Sequence, residues 1–274
     1  MTRTKKSMWL ARIVLVVACL LFLSPFYWMI NTALKEAPEL SVFPPTLVPK
    51  IWKWENFTEA MGYFPFWRYL GNTVLITVLS TIGSVASNFV IAYGFSRIHW
   101  KGRDALFGIM LATMFIPFPV TMIPTFIIFA KLGWINTYLP MIVPSFFGAA
   151  FSVFLLRQFL MQIPFEISEA ARVDGASEFQ TMWRIILPLS KPALSVVAIF
   201  SALGTWNNFL GPLLYLQDEK LYTLSIGLTA FRSQHDVDMN LLMAASTLVV
   251  LPVVVVFFMF QKAFVEGMTL GSIK

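Results

Sequence analysis

Charge is what this sequence has least of. Only 12% of its 274 residues are Asp, Glu, Lys or Arg, against 58% hydrophobic, and mean hydropathy is +0.74. A soluble domain is about a quarter charged, so the balance excludes an ordinary globular protein and points to a chain crossing a membrane several times. Cysteine is nearly absent. Cys19 stands alone in an apolar run, which excludes an internal disulfide and supports no metal cluster. His99 and His235 lie far apart with no cysteine near them, and read as loop residues. No GxxxxGK[ST] stretch occurs, so the chain cannot cradle ATP by that route, and no catalytic set is visible. The net charge of +6 does not imply nucleic acid, because the basic residues form no stripe interleaved with aromatics.

The apolar residues are gathered into six stretches predicted as membrane helices, at about 9–31, 69–95, 105–130, 140–161, 193–216 and 241–263. The fold class is therefore all-α and polytopic, in one transmembrane domain over 1–274. Arg3, Lys5, Lys6 and Arg12 precede the first stretch, and residues 16–19 look like a lipoprotein cleavage box. The apolar run continues past Cys19 through Phe26, Trp28 and Ile30, long enough to span, so we read it as an uncleaved helix. Residues 31–68 are rich in proline and aromatics and read as an external loop. In it Trp52, Trp54, Phe57, Tyr63, Phe64 and Trp67 suit headgroup depth.

The second stretch carries Thr73, Thr77, Ser80, Thr81, Ser84, Ser87 and Asn88 at helical spacing, one continuous polar face. That face is either a packing seam or a wall of a solute path. Pro117, Pro119 and Pro124 predict a broken or bent third helix. The fifth carries Gly204-Thr205-Trp206-Asn207-Asn208-Phe209-Leu210-Gly211. Two adjacent amides at mid-bilayer depth need partners or a wet cavity. Trp206, Asn207, Asn208 and Gly211 suit contact with sugar hydroxyls and ring faces, and an Asn bond tying two helices is the other reading. Of the twenty Lys and Arg, thirteen fall on the side of the N-terminus and seven on the other, while acids divide six and eight. The positive-inside rule then places both termini in the cytoplasm.

The long polar run of the second half is 166–194, between two apolar blocks, and its composition predicts two short helices at the membrane surface. Gly175 suits a left-handed helix end, and Ser177 can open the next helix. Pro164 and Pro188 bracket the unit, which presents a docking surface for something large and soluble. Glu169-Ala170-Ala171, three residues, Gly175, nine residues, Ile185, one residue, Leu187-Pro188 matches the E-A-A-x3-G-x9-I-x-L-P loop of ABC importer membrane subunits. Residues 23–35, 205–213, 222–228 and 260–274 extend the likeness over nearly the whole chain. The chain resembles the shorter, six-helix permease of the carbohydrate-uptake (maltose-type) branch, with the type I ABC importer permease fold.

That resemblance implies a set of partners and roles. The coupling loop, 164–191, with Glu169, Ala170, Ala171, Asp174, Gly175, Ile185, Leu187 and Pro188, would fit a cleft in an ATP-binding subunit. Two such subunits would hold ATP–Mg, this chain binding no cofactor itself. A second permease subunit would complete the pathway for a carbohydrate. An extracytoplasmic solute-binding protein would meet the loop carrying Phe231, Gln234, Asp236 and Asp238. Residues 267–274 would project between the ATPases. The setting would be a bacterial or archaeal cytoplasmic (inner) membrane. A polyol or glycerol phosphate is the alternative cargo. An ion-coupled secondary transporter would want ionisable residues inside its spans, and none lies at mid-depth. A non-transporting anchor would leave the polar helix faces without a purpose.

Overall fold

Runs of Leu, Val, Ile and Phe uninterrupted by charge leave a backbone in lipid one economical choice, to satisfy its own hydrogen bonds as helix. The computed structural model describes residues 5–231 and 238–269, and every regular element among them is helical. The principal helices are α1 (Lys5–Ala33), α2 (Phe66–Ser96), α3 (Arg103–Ala112), α4 (Phe118–Lys131), α5 (Ala150–Leu160), α6 (Phe165–Val173), α7 (Glu178–Leu189), α8 (Lys191–Trp206), α9 (Leu210–Tyr215) and α10 (Met239–Thr269). Among the described residues four helices are each long and apolar enough to cross a membrane, and counting each of two bent pairs, Arg103–Phe115 with Phe118–Lys131 and Glu178–Leu189 with Lys191–Trp206, as one span gives up to six.

Breaks in the spans have local causes. The third bends by 102° between the Arg103–Phe115 and Phe118–Lys131 helices. Pro117, extended at ψ 142°, caps α4 and has no N–H to continue the preceding turn. In the fourth, a 3-10 turn at Val143–Phe147 leads to Gly148, whose φ of +87° favours glycine, and α5 follows. The sequence predicts an unbroken fifth helix over 193–216, and here the structure differs. α8 has 16 residues, about 24 Å and short of a 30 Å hydrocarbon core. It ends at Asn207, and α9 resumes at Leu210.

The chain divides into two compact units, Met1–Trp67 with Gly227–Val254, and Arg68–Ile226 with Val255–Lys274. In the first, the end of α1 is pinned by the external segment. Asn56 Nδ2 donates to the carbonyls of Ala33 and Lys35, at 2.8 and 2.9 Å, and Lys53 N–H donates to Leu34 O. Lys35 is buried yet satisfied: its Nζ donates to Thr46 O at 2.5 Å and lies 5.2 Å from the Trp28 ring centre.

In the second unit, Phe89, Ala92, Tyr93, Val153, Leu156, Leu160, Met182, Ile186, Ala193 and Val197 form one core. It joins α2 and α5 to α7 and α8 at the end where the polar run 166–194 lies. The polar face of α2 is a seam. Ser80 Oγ donates to Met141 O, Ser87 Oγ to Ser145 O, and Asn88 Oδ1 accepts from Ala149 N–H at 2.7 Å. These bonds serve backbone groups of the irregular 141–149 stretch. Thr73 Oγ1 accepts from Leu224 N–H in the same way. Packing is close enough that a Cβ on Gly83 would stand 2.5 Å from the Phe146 ring.

Candidate functional site

The polar run folds as two arms. The first, α6, begins after Pro164, which is extended and serves as its cap. It ends in a Schellman motif: Gly175 takes φ +83°, Gly175 N–H donates to Arg172 O at 3.0 Å, and Ala176 N–H donates to Ala171 O at 2.9 Å. Ser177 then opens α7 with a capping box. Its Oγ accepts from Gln180 N–H, and Gln180 Oε1 accepts from Ser177 N–H at 2.8 Å. The pattern S-x-x-Q was readable in the sequence, although Gln180 is not part of the expected set.

α7 passes through a π-helical stretch, Thr181–Ile186, and continues to Leu189. Pro188 therefore does not close the unit. It lies inside α7, just after the π-helical stretch and two residues before the bend at Ser190. The chain then turns by 78° into α8 at Ser190, whose buried hydroxyl donates to Ile186 O at 2.7 Å.

The motif residues divide into two faces. Glu169, Ala170, Asp174 and Gly175 are exposed, with Val173 at 88% and Phe179 at 68%. Among the described residues Glu169 enters no ion pair. Ala171 instead faces inward and is buried with Ser168. Ile185 and Leu187 pack against the core, where Met182 and Ile186 are buried. Ala171, Ile185 and Leu187 thus root the arms, while Glu169, Ala170, Asp174 and Gly175 form their outer face. The reason is spacing: 169 and 170 lie about 100° and 200° around the helix from 168, while 171 returns to its side.

Four residues outside the expected set hold the arms. Glu178 accepts from Arg172 Nη2 at 2.6 Å and from Tyr93 Oη at 2.9 Å. Arg97, only 1% exposed, donates to Ile163 O at 2.6 Å and to Pro164 O at 3.3 Å, with its guanidinium 4.8 Å from the Phe165 ring centre. Burial pulls the Arg97 guanidinium below its usual value. In sequence Arg97 is one more positive-inside residue. Its signal was the spacing Phe89, Tyr93, Arg97, one residue per turn along one face.

The other expected sites are placed as follows. Asn207 Nδ2 donates to Leu203 O at 2.9 Å, and Asn208 Oδ1 accepts from Gly211 N–H at 3.0 Å. The amides therefore dress the break between α8 and α9, and neither side-chain bond ties two distant helices. Both residues are exposed, Trp206 is half-buried, and Gly211 is buried, where a Cβ would meet Asn208 Nδ2 at 2.8 Å. On the opposite side of the sequence's predicted topology, Phe231 is buried with its ring stacked 4.7 Å from Tyr63. Asp238 accepts from the Tyr63 hydroxyl, and its N–H donates to Phe231 O at 3.2 Å. These two residues close the root of their loop. Gln234 and Asp236 lie outside the described residues.

A family model described as "Binding-protein-dependent transport system inner membrane component" matches residues 80–270. The arabinooligosaccharides transport system permease protein AraQ of Bacillus subtilis is 33% identical over 258 residues, covering 93% of this chain and 92% of that one. The trehalose/maltose transport system permease protein MalG of Thermococcus litoralis is 33% identical over 275 residues, covering 97% and 98%. Among solved structures, a bacterial ABC transporter involved in importing the acidic polysaccharide alginate aligns with TM-score 0.83 at 22% identity, over 96% of this chain and 99% of that one.

Proposed function

The chain belongs to the family of binding-protein-dependent transport system inner membrane components, and from that premise we propose that it is the permease subunit of an ATP-driven sugar importer. It is a multi-pass inner-membrane transport component rather than an enzyme. Its partners are a second permease subunit, two ATP-binding subunits that hold ATP–Mg, and an extracytoplasmic protein that delivers a sugar or oligosaccharide. Support for that cargo comes from relatives named for arabinooligosaccharides, trehalose and maltose. Both termini lie in the cytoplasm, as the excess of Lys and Arg on that side of the reading supports.

The cytoplasmic arms, α6 and α7, are the seat for the ATPase. One observation carries this: an exposed carboxylate with no ion pair among the described residues, Glu169, sits on a short arm capped at its end and rooted in the core. An exposed acid of this kind suits a basic cleft, and Ala170 beside it keeps the profile slim. When the ATPases close on ATP the arms follow, and α7 transmits the displacement to α8 across the bend at Ser190. The element that both nucleotide and cargo bias is then this loop.

The break between α8 and α9 belongs to the solute path. Irregular backbone at membrane depth is tolerated where it is buried in protein or lines a wet cavity, and Asn207 and Asn208 are exposed in this chain. Broken spans near the midplane are a recurrent way to present amides and free carbonyls to a polar cargo. Replacement Glu169→Ala tests the coupling role. Expected is loss of sugar uptake in cells with normal amounts of the protein in the membrane; uptake at the parental rate would refute it.

A further inference from the structure

We infer that Tyr93 and Arg97, at the inner end of α2, are positioning residues that join the docking loop to the membrane helices, with Glu178 as the bridging contact. The inference rests on the reading of α6 and α7 as the ATPase seat. Phe89, Tyr93 and Arg97 follow one another at four-residue spacing and so form one stripe along α2. Each member meets a different part of the loop. The Phe89 ring lies 6.2 Å from that of Trp183 in α7. Tyr93 Oη donates to Glu178 Oε2 at 2.9 Å, at the start of α7. Arg97 donates to the carbonyls of Ile163 and Pro164, immediately before α6.

The charges arrange these contacts into a pivot and a lever. Arg97 is held by main-chain carbonyls and the face of Phe165, so it fixes where the first arm leaves α5. Glu178 is shared. Its Oε1 receives Arg172 from the first arm, and its Oε2 receives Tyr93 from α2. Arg172 and Glu178 are both nearly half exposed, and an ion pair so placed contributes little to stability by itself. Tyr93 is 2% exposed, so its bond anchors that pair to the interior. Force applied at Glu169 on the first arm passes through Arg172 and Glu178 to the Tyr93 hydroxyl, and thereby to a helix of 31 residues. A carboxylate accepting from both arm and helix keeps the three elements in step, and removing one hydroxyl uncouples them.

The test uses the complete importer in lipid vesicles, this chain with its partner permease, ATPase subunits and binding protein, and reads sugar taken up per ATP hydrolysed. Tyr93→Phe keeps the ring and its packing and removes only the hydroxyl. The expected result is a roughly tenfold fall in that ratio, the effect of one hydrogen bond to a charged acceptor, with ATP hydrolysis continuing. Glu178→Gln, at a half-exposed position, is expected to lower the ratio as well, and the double variant to be no worse than the lower single. An unchanged ratio in both variants would overturn the inference, as would uptake and hydrolysis falling in the same proportion, the mark of a merely structural role. Glu169→Ala run in parallel separates the two claims. Wild-type uptake there removes the docking reading itself, whereas loss of uptake there beside an unchanged ratio for both Tyr93→Phe and Glu178→Gln removes only the link through Tyr93 and Glu178.

Discussion

Asn88 shows how one side chain can decide between two meanings of the same pattern. It is fully buried, accepts from Ala149 N–H and donates to Ser84 O. The hydroxyl of Thr81, on the same predicted face, is buried and has no hydrogen-bond partner among the described residues. Spacing alone could not separate these residues, because a hydroxyl that sutures a broken neighbour and one that does not have identical periodicity. Asn88→Ala orphans a buried N–H, a loss of about 1–3 kcal/mol, whereas Thr81→Val removes an unsatisfied oxygen and is expected to be neutral or stabilising. Thermal unfolding in detergent checks the pair: a lower midpoint for the first and an unchanged or higher one for the second. Arg97 makes the complementary point. Its charge was legible as topology, while its bonds to Ile163 and Pro164 depend on α5 ending beside α2, which no local pattern records.

Among elements, the polar loop 164–191 was the most legible, because caps are written locally. Gly175 and Ser177 sit where a Schellman motif and a capping box require them. The break after α8 was less legible. Pro117 announces a broken helix by lacking an N–H, but Asn207 and Asn208 are compatible with helix, and here their side chains bond to nearby backbone instead. Two changes test the loop as an element. Ser177→Ala removes the cap of α7, worth about 1 kcal/mol, and is expected to lower the thermal midpoint modestly with uptake retained. Gly175→Asp places a side chain at φ +83°, costing about 1–2 kcal/mol, and adds charge to the exposed face. There, uptake is expected to be lost with the protein still in the membrane, as read by uptake assay and membrane immunoblot.

For the whole molecule, hydropathy and the distribution of basic residues carry the membrane reading; four single helices and the bent pair Arg103–Phe115 with Phe118–Lys131 fall on five of the six predicted stretches, while the second bent pair joins α7 to α8 rather than covering 193–216. The apolar side chains of α1 from Met8 to Ile30 are mostly exposed, as suits a helix surrounded by lipid or a partner subunit. Orientation is testable because Cys19 is the sole cysteine. In a Cys19→Ser background, Asp218→Cys is expected to react with an impermeant thiol reagent in intact cells, and Asp174→Cys only after the membrane is opened. The reverse labelling would invert the topology. The central claim is that this chain moves solute only when a separate ATPase drives it through α6 and α7. The most direct measurement compares sugar uptake into lipid vesicles holding the chain alone, the complete importer with ATP, and the same importer carrying Glu169→Ala. Uptake is predicted in the complete importer only; uptake by the chain alone, or undiminished uptake with Glu169→Ala, would contradict the account.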